Sequence, residues 1–455
     1  MGEPAPSSCT LVSRRVVYAG RLQPAAVRVA SGTIAAVTPP DQSTEEAPGD
    51  EPRFDFGDLV IGPGLVDAHV HINEPGRAAW EGFRTATAAA AAGGVTTLID
   101  MPLNSSPVTT TPEALLAKRS AAADQCSVDV AFYGGLIAGG ADNAVALLAE
   151  GVCGLKAFLC DSGLDEFPAA REQDLRDAAP ALARAGAPLL VHAELPLTPG
   201  PTLTDPRRYA EYLASRPKRW ETDAITMLIR VCRDTGCRVH VVHLANADAI
   251  AITDQARRDG LPLTVETCPH YLHFAADEVP PGDTRFKCAP PIRESSHREE
   301  LWRGLSAGSI DTVGSDHSPC PPELKHAETG DFLAAWGGVA GLQLTLPVLV
   351  TGAARRGVPL ESVFEWASRR PAELFGLGDR KGRIAKGYDA DLVVFDPEAD
   401  WRVDGQRLLH RHKVTPYDGQ ALKGVAVETF VNGQRVYAGG RVNHDPGGRL
   451  LKAQF

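Results

Sequence analysis

The run "GLVDAHVHI", residues 64–72, carries two histidines, His69 and His71, near the end of an apolar stretch. Side chains alternate along a strand, so the spacing of two points both imidazoles to one face. Seven more apolar, strand-like runs follow in the middle of the chain: "GVTTLIDMP", "VDVAFYGGL", "GVCGLKAF", "PLLVHAE", "RVHVVHLA", "LPLTVETCPHYL" and "DTVGSDHSP". Between them lie helix-like stretches such as "EALLAKRSAAADQ", "DLRDAAPALARAG", "ETDAITMLIRVCRDTG" and "ADAIAITDQARRDG". Repeating βα units imply a parallel sheet with helices outside it. About eight such units close a (β/α)8 barrel, whose chemistry sits at the C-terminal ends of the strands.

The two ends of the chain read differently. "RRVVYAG", "AAVRVASG" and "TIAAVTP" near the N-terminus alternate and are rich in β-branched residues. "DADLVVFDP", "AVETFVNGQRVYAGG" and "GRLLKAQF" near the C-terminus do the same. The expectation is a catalytic barrel over residues 61–385 and one small β-domain built jointly from residues 1–60 and 386–455. The loop "PPDQSTEEAPGDEP" is acidic and Pro-rich and reads as an exposed, mobile connection.

Composition excludes several classes of partner. The chain has 455 residues, 44% hydrophobic and 23% charged, with a formal net charge of -11. That balance argues against a nucleic-acid face or an anionic membrane surface. The nine cysteines include no C-x-x-C pair and read as free thiols of a reducing compartment. The N-terminus has no apolar signal region, so a cytoplasmic protein is expected. The stretch "FLAAWGGVAGLQLTLPVLVTGAA", residues 332–354, carries no charge and has the length of a membrane span. Its glycines, its proline and the absence of a second such run make it a buried element instead. There is no G-x-G-x-x-G and no P-loop.

Polar residues close the apolar runs. His69 and His71 end the first, Lys156 lies in "GVCGLKAF", and His192, His243 and Asp316 end three others. A lone strand-end histidine is most often structural, but four histidines and an aspartate at one mouth form a donor set suited to Zn²⁺. Lys156 is the odd member. An ammonium among apolar neighbours is costly unless paired, and metal ions would repel it. Two readings stand: it snorkels to solvent, or its amine adds CO₂ to become an anionic carbamate.

These residues closely resemble the metal-ligand set of the cyclic amidohydrolases, a family that takes in dihydroorotases, hydantoinases (dihydropyrimidinases) and allantoinases. "KGRIAKGYDADLVVFDP" is similar to the family's C-terminal signature. The resemblance implies a distorted (β/α)8 TIM-like barrel with a small β-sandwich from both termini. It implies two Zn²⁺ per subunit held by His69, His71, Lys156, His192, His243 and Asp316, and bridged by carboxylated Lys156 (N6-carboxylysine) and a hydroxide. Asp316 then doubles as the catalytic proton carrier. His270 and His317 are expected to support the ligands, and a homotetramer is implied.

Three positions narrow the branch. Dihydroorotases carry H-x-H-x-R, whose arginine grips a substrate carboxylate; here that position is Asn73. An asparagine and a histidine that the same branch offers its substrate are replaced by Ala289 and Cys320. A guanidinium fork fits a carboxylate and an amide does not, so a substrate without a carboxylate at that point is expected. "HINEPGRAAWEGF", "DMPLNSSP", "SDHSPCPPELK" and "AWGGVAGLQ" look like allantoinase segments. The resemblance therefore implies a neutral small-molecule substrate, allantoin, opened at its cyclic amide to allantoate, with Asn73 and Asn104 as substrate contacts. The alternatives are a dihydropyrimidinase or hydantoinase, a dihydroorotase, or a metal-free scaffold relative, which would show gaps among the six ligand positions.

Overall fold

A computed structural model describes residues 8–41, 51–197, 200–201, 204–443 and 447–455. The alternating ends of the chain do pair with each other. Strands Ser8–Tyr18, Arg21–Ala30 and Thr33–Thr38 run antiparallel in order. Leu392–Arg402, Ala421–Val431 and Gln434–Ala438 form a second antiparallel run, with Asn432 and Gly433 in left-handed conformations at the hairpin turn. The short strand Val60–Pro63 joins the two. It lies parallel to Ser8–Tyr18 and antiparallel to Leu392–Arg402, and with Arg53–Asp55 and Arg441–Val442 at the margins the sheet has nine strands.

That joining strand leads straight into the His-x-His run. Gly64, the single residue between them, donates its N–H to Asp391 O at 2.8 Å. A β-carbon at Gly64 would lie 2.2 Å from the Thr96 side chain, so only glycine lets the strands approach this closely.

All eight apolar runs contain strands, and all pair in parallel. Leu65–Val70, Val95–Asp100 and Asp129–Phe132 form one sheet. Gly134–Gly135, Leu155–Phe158, Leu189–His192, Val239–Val241, Leu263–Thr267 and Thr312–Val313 form another. Hydrogen bonds connect the two at both margins. Cys153 N donates to Phe132 O at 2.9 Å, and His71 N donates to His317 O at 2.8 Å. Buried faces on both sides explain why these strands are nearly continuous apolar runs.

The helices follow the sequence signals. Thr111 caps Pro112–Ala122 by accepting from Ala114 N, with Pro112 in the first turn. Glu172–Ala185 stops at Gly186, which is left-handed. The uncharged stretch 332–354 divides into a loop, a short turn at Leu342–Leu344 and the buried part of helix Thr345–Arg356. Among the described residues no helix is long and apolar enough to cross a membrane.

Two expectations change. "CPHYL" is not strand: Pro269 starts a helical turn, Pro269–His273. The tail "GRLLKAQF" does not join the terminal sheet. It runs beside Asp129–Phe132, with Val130 N donating to Arg449 O at 2.9 Å and Leu451 N to Val130 O at 2.8 Å. Val130 has backbone groups to offer there, and Leu451 gains a buried apolar site. Residues 42–50, most of the acidic loop, lie outside the described residues, as do residues 1–7.

Candidate metal centre

The six expected ligands come from five strands or the turns just beyond them. His69 lies within Leu65–Val70 and His71 just past it; Lys156 lies within Leu155–Phe158, and His192 is the last residue of Leu189–His192. His243 and Asp316 sit in turns two and three residues after their strands, both in the left-handed region, at φ 42° and 46°. Non-glycine residues held in that region cost energy and cluster where a side chain must be aimed.

All six are buried. His69 Nε2 and His71 Nε2 lie 3.4 and 3.2 Å from Asp316 Oδ1. The His69 ring is 5.3 Å from the His243 ring, which is 4.6 Å from the His192 ring. His192 stacks on Phe158 at 4.4 Å, and Lys156 Nζ lies 4.9 Å over the same Phe158 ring. His71 Nδ1, His243 Nδ1 and Lys156 Nζ are buried without a hydrogen-bond partner. Such orphaned groups are rare in folded proteins.

The electrostatics agree with a cation's place. Burial lowers the pKa of His71, His192 and His243, which favours the neutral, ligating imidazole. Burial acts to raise Asp316, yet His69 and His71 overcome it and hold the carboxyl well below its usual range. Burial pulls the Lys156 amine down to about 8. Lys156 therefore does not snorkel to solvent, and its neutral form is accessible near physiological pH. The donor set of imidazoles and one carboxylate fits a borderline-soft divalent cation.

Three supporting residues gave no clear sequence signal. Glu266 Oε1 lies 2.6 Å from His69 Nδ1, leaving Nε2 to face Asp316. Glu194 Oε2 lies 2.8 Å from His192 Nε2, and Arg216 donates to both oxygens of Glu194, at 3.0 and 2.5 Å. Carboxylates behind metal-binding histidines fix ring orientation and basicity. Burial opposes ionisation of Glu266, but His69 and His240 hold its pKa down near 2. The weak signal was position: Glu194 follows His192 by two residues, and Glu266 breaks an apolar strand. His317 Nδ1 accepts from Gly341 N at 3.2 Å, and its Nε2 lies 3.5 Å from Glu81. His270 is buried, its Nε2 unpartnered, and burial lowers its pKa to about 4.

The centre lies at the floor of a cavity of about 560 Å³. Asn104, Arg216, Lys287 and Trp336 contribute to its walls. Asn73 is not among the lining residues. It is buried and left-handed at φ 68°, and its Nδ2 donates to Pro319 O at 3.3 Å, while Oδ1 has no partner. The amide thus binds the turn that carries Asp316. Among the described residues three other acidic or thiol groups could be drawn together by a cation, Cys160–His192–Glu194, Cys268–His270–Asp316 and Asp129–Asp389–Asp391. Burial raises both thiols far from thiolate character, and Lys381 fills the last group.

The amidohydrolase family matches residues 60–436. An allantoinase of Streptomyces avermitilis is 48% identical over 98% of both chains. The allantoinase of Arabidopsis thaliana is 44% identical, covering 97% of this chain and 90% of its own. Among solved structures, an L-hydantoinase (dihydropyrimidinase) from Arthrobacter aurescens superposes with a TM-score of 0.89 at 31% identity, covering 97% and 99% of the two chains.

Proposed function

Because the chain belongs to the amidohydrolase family, we propose that it hydrolyses the cyclic amide of allantoin to allantoate. The observation that carries this reading is the convergence of His69, His71 and Asp316 in the lining of one open cavity. The relatives named allantoinase supply the substrate. The cavity's guanidinium, Arg216, is already taken by Glu194, which leaves no free fork for a substrate carboxylate and suits a neutral ring.

His69, His71, Lys156, His192, His243 and Asp316 are the residues that would hold two Zn²⁺. The bound ions would supply a Lewis acid for the ring carbonyl and an acidified water. The protein's own part begins at Lys156. Its neutral amine adds its lone pair to CO₂ and gives up an N–H proton to solvent, leaving an anionic N-carboxylate. Asp316, held ionised, accepts a proton from the attacking water and delivers it to the ring nitrogen as the C–N bond breaks. One water is consumed: one of its protons ends on the ring nitrogen, the other leaves to solvent, and the ring-opened product is a carboxylate. Glu266 and Glu194 keep His69 and His192 in register. Asn104, in the wall, is positioned for the substrate; Asn73 acts on it through the Asp316 turn.

On this reading the two parallel sheets are a single (β/α)8 barrel over 61–385, supported by the hydrogen bonds at both margins. The β-domain from 1–60 and 386–455, apart from the tail beside Asp129–Phe132, flanks it, and the enzyme works as a cytoplasmic homotetramer. A hydantoinase is the second reading, favoured by the solved Arthrobacter aurescens structure. One assay decides: turnover of allantoin, hydantoin, dihydrouracil and dihydroorotate by one preparation, with and without chelator. Allantoin is expected to be preferred, and chelation to abolish its turnover. Preference for dihydrouracil overturns the assignment.

A further inference from the structure

One wall of the cavity is the segment 333–338, "LAAWGG". It has no regular secondary structure of its own, so its backbone carbonyls need partners from elsewhere. Two lysines supply them. Lys287 Nζ donates to Leu333 O at 2.9 Å and to Ala335 O. Lys325 Nζ donates to Trp336 O at 3.0 Å and to Gly338 O. Four of the six carbonyls in the wall therefore end on two ammonium groups.

Neither lysine is an ordinary buried cation. Lys325 is 4% exposed, and among the described residues neither has a carboxylate ion-pair partner. A buried ammonium without a counter-ion is expensive unless hydrogen bonds replace its water. Here the carbonyls of the wall do so, which couples the cost of burying each lysine to the conformation of the wall. Backbone bonds fasten the same pieces: Gly338 N donates to Lys287 O at 2.8 Å and Trp336 N to Leu324 O at 2.7 Å. Thr284 Oγ donates to Lys325 O, connecting the two lysine-bearing segments. At the outer edge Trp336 meets Trp80 edge to face, with centroids 4.8 Å apart.

We propose that Lys287 and Lys325 are positioning residues that hold the Leu333–Gly338 backbone as a fixed wall against the substrate, although neither takes part in the bond-breaking step. The kinetic part rests on the cyclic-amide reading; the structural part does not. Lys287→Met and Lys325→Met replace the ammonium by an apolar chain of similar length and free the four carbonyls. In each variant the near-UV circular dichroism of the Trp80–Trp336 pair should shrink, and chymotrypsin should cut after Leu333 or Trp336 where the parent resists. Metal content should equal the parent's. KM for allantoin should rise roughly 10- to 100-fold with kcat within about threefold, because a loosened wall misplaces the substrate. Should Lys325→Met not fold, Lys287→Met, at the more accessible site, carries the test. Parental near-UV spectra and protease resistance in the folded variants overturn the clamp. A loss of kcat at parental KM overturns the positioning role. If the parent itself ignores allantoin, the functional reading fails, while the spectra and digestion still decide the clamp.

Discussion

At Lys156 the chain places a primary amine where water does not reach and gives it no hydrogen-bond partner. Burial holds its pKa near 8, so about a tenth of the amine is neutral at pH 7. An N-carboxylate there would satisfy the orphaned imidazoles' cations as well as itself. Lys156→Ala should therefore lose bound metal, measured by atomic emission. It should also lose allantoin turnover by more than the roughly 10- to 100-fold expected of supporting residues. A short carboxylic acid such as propionate should restore part of both, by standing in the emptied volume. Retention of metal and activity would refute the carbamate. Glu266→Gln tests the support in the weaker range: chelator competition should show metal held about 10- to 100-fold less tightly. The six candidate ligand positions stood out in the sequence because each is a polar residue in or at the close of an apolar run. Glu194 and Glu266 were not, since a carboxylate beside a histidine looks like any surface charge until the fold buries it. Asn73 was legible as a departure from arginine, but its bond to Pro319 O spans 246 residues and no local pattern announces it.

At the scale of elements, period and caps predicted the strands and helices of the middle, and length ambiguity produced the misreadings. "CPHYL" continues an apolar run, yet its proline suits the first turn of a helix better than a ladder that needs its N–H. His243 and Asp316 fall beyond short strands because left-handed turns, invisible to hydrophobic periodicity, carry them inward. The uncharged stretch shows how packing overrides composition. In helix Thr345–Arg356, Gly352 has no side chain because Trp302 lies against it; a β-carbon would stand 2.1 Å from Trp302 Cζ2. Trp302 is buried and tethered, its Nε1 donating to Leu272 O at 2.9 Å with Arg356 over its ring at 4.8 Å. Gly→Ala in an open helix gains about 1 kcal/mol, while overpacking a fixed core costs about 1–3 kcal/mol. Since the indole has no room to retreat, Gly352→Ala should lower the urea midpoint. A raised midpoint would mean the indole shifts freely.

Across the whole molecule, the terminal sheet, the parallel strands and the C-terminal tail meet at one charged cluster. Asp129 opens strand Asp129–Phe132, Asp389 and Asp391 precede Leu392–Arg402, and Arg449 belongs to the tail. Lys381 Nζ lies 2.5 Å from Asp129 Oδ2 and Asp391 Oδ2 and 3.0 Å from Asp389 Oδ2. Arg380 and Arg449 each reach Asp389, at 2.8 and 2.7 Å. Three carboxylates thus meet three cations, formally neutral, at the junction of three parts of the chain. Part of the "KGRIAKGYDADLVVFDP" segment is explained by this clasp rather than by catalysis. Removing one partner of a buried ion cluster is far worse than never having it, because the opposite charges stay buried. Lys381→Met should cost about 3–5 kcal/mol by urea unfolding, whereas Arg449→Met, at a site 44% exposed, should cost about 1 kcal/mol or less. The charge origin of the larger loss has its own signature. Burial already pushes Asp391 above its ordinary value with Lys381 present, and without the ammonium the aspartates must rise further. Groups whose folded pKa lies above the unfolded value bind more protons in the native state, so stability falls as pH rises through that window. The deficit of Lys381→Met should therefore be largest near pH 8 and shrink toward pH 5, where the buried carboxyls take up protons. An equal deficit at both pH values would assign the loss to packing and remove the electrostatic clasp from the account of how these three parts hold together.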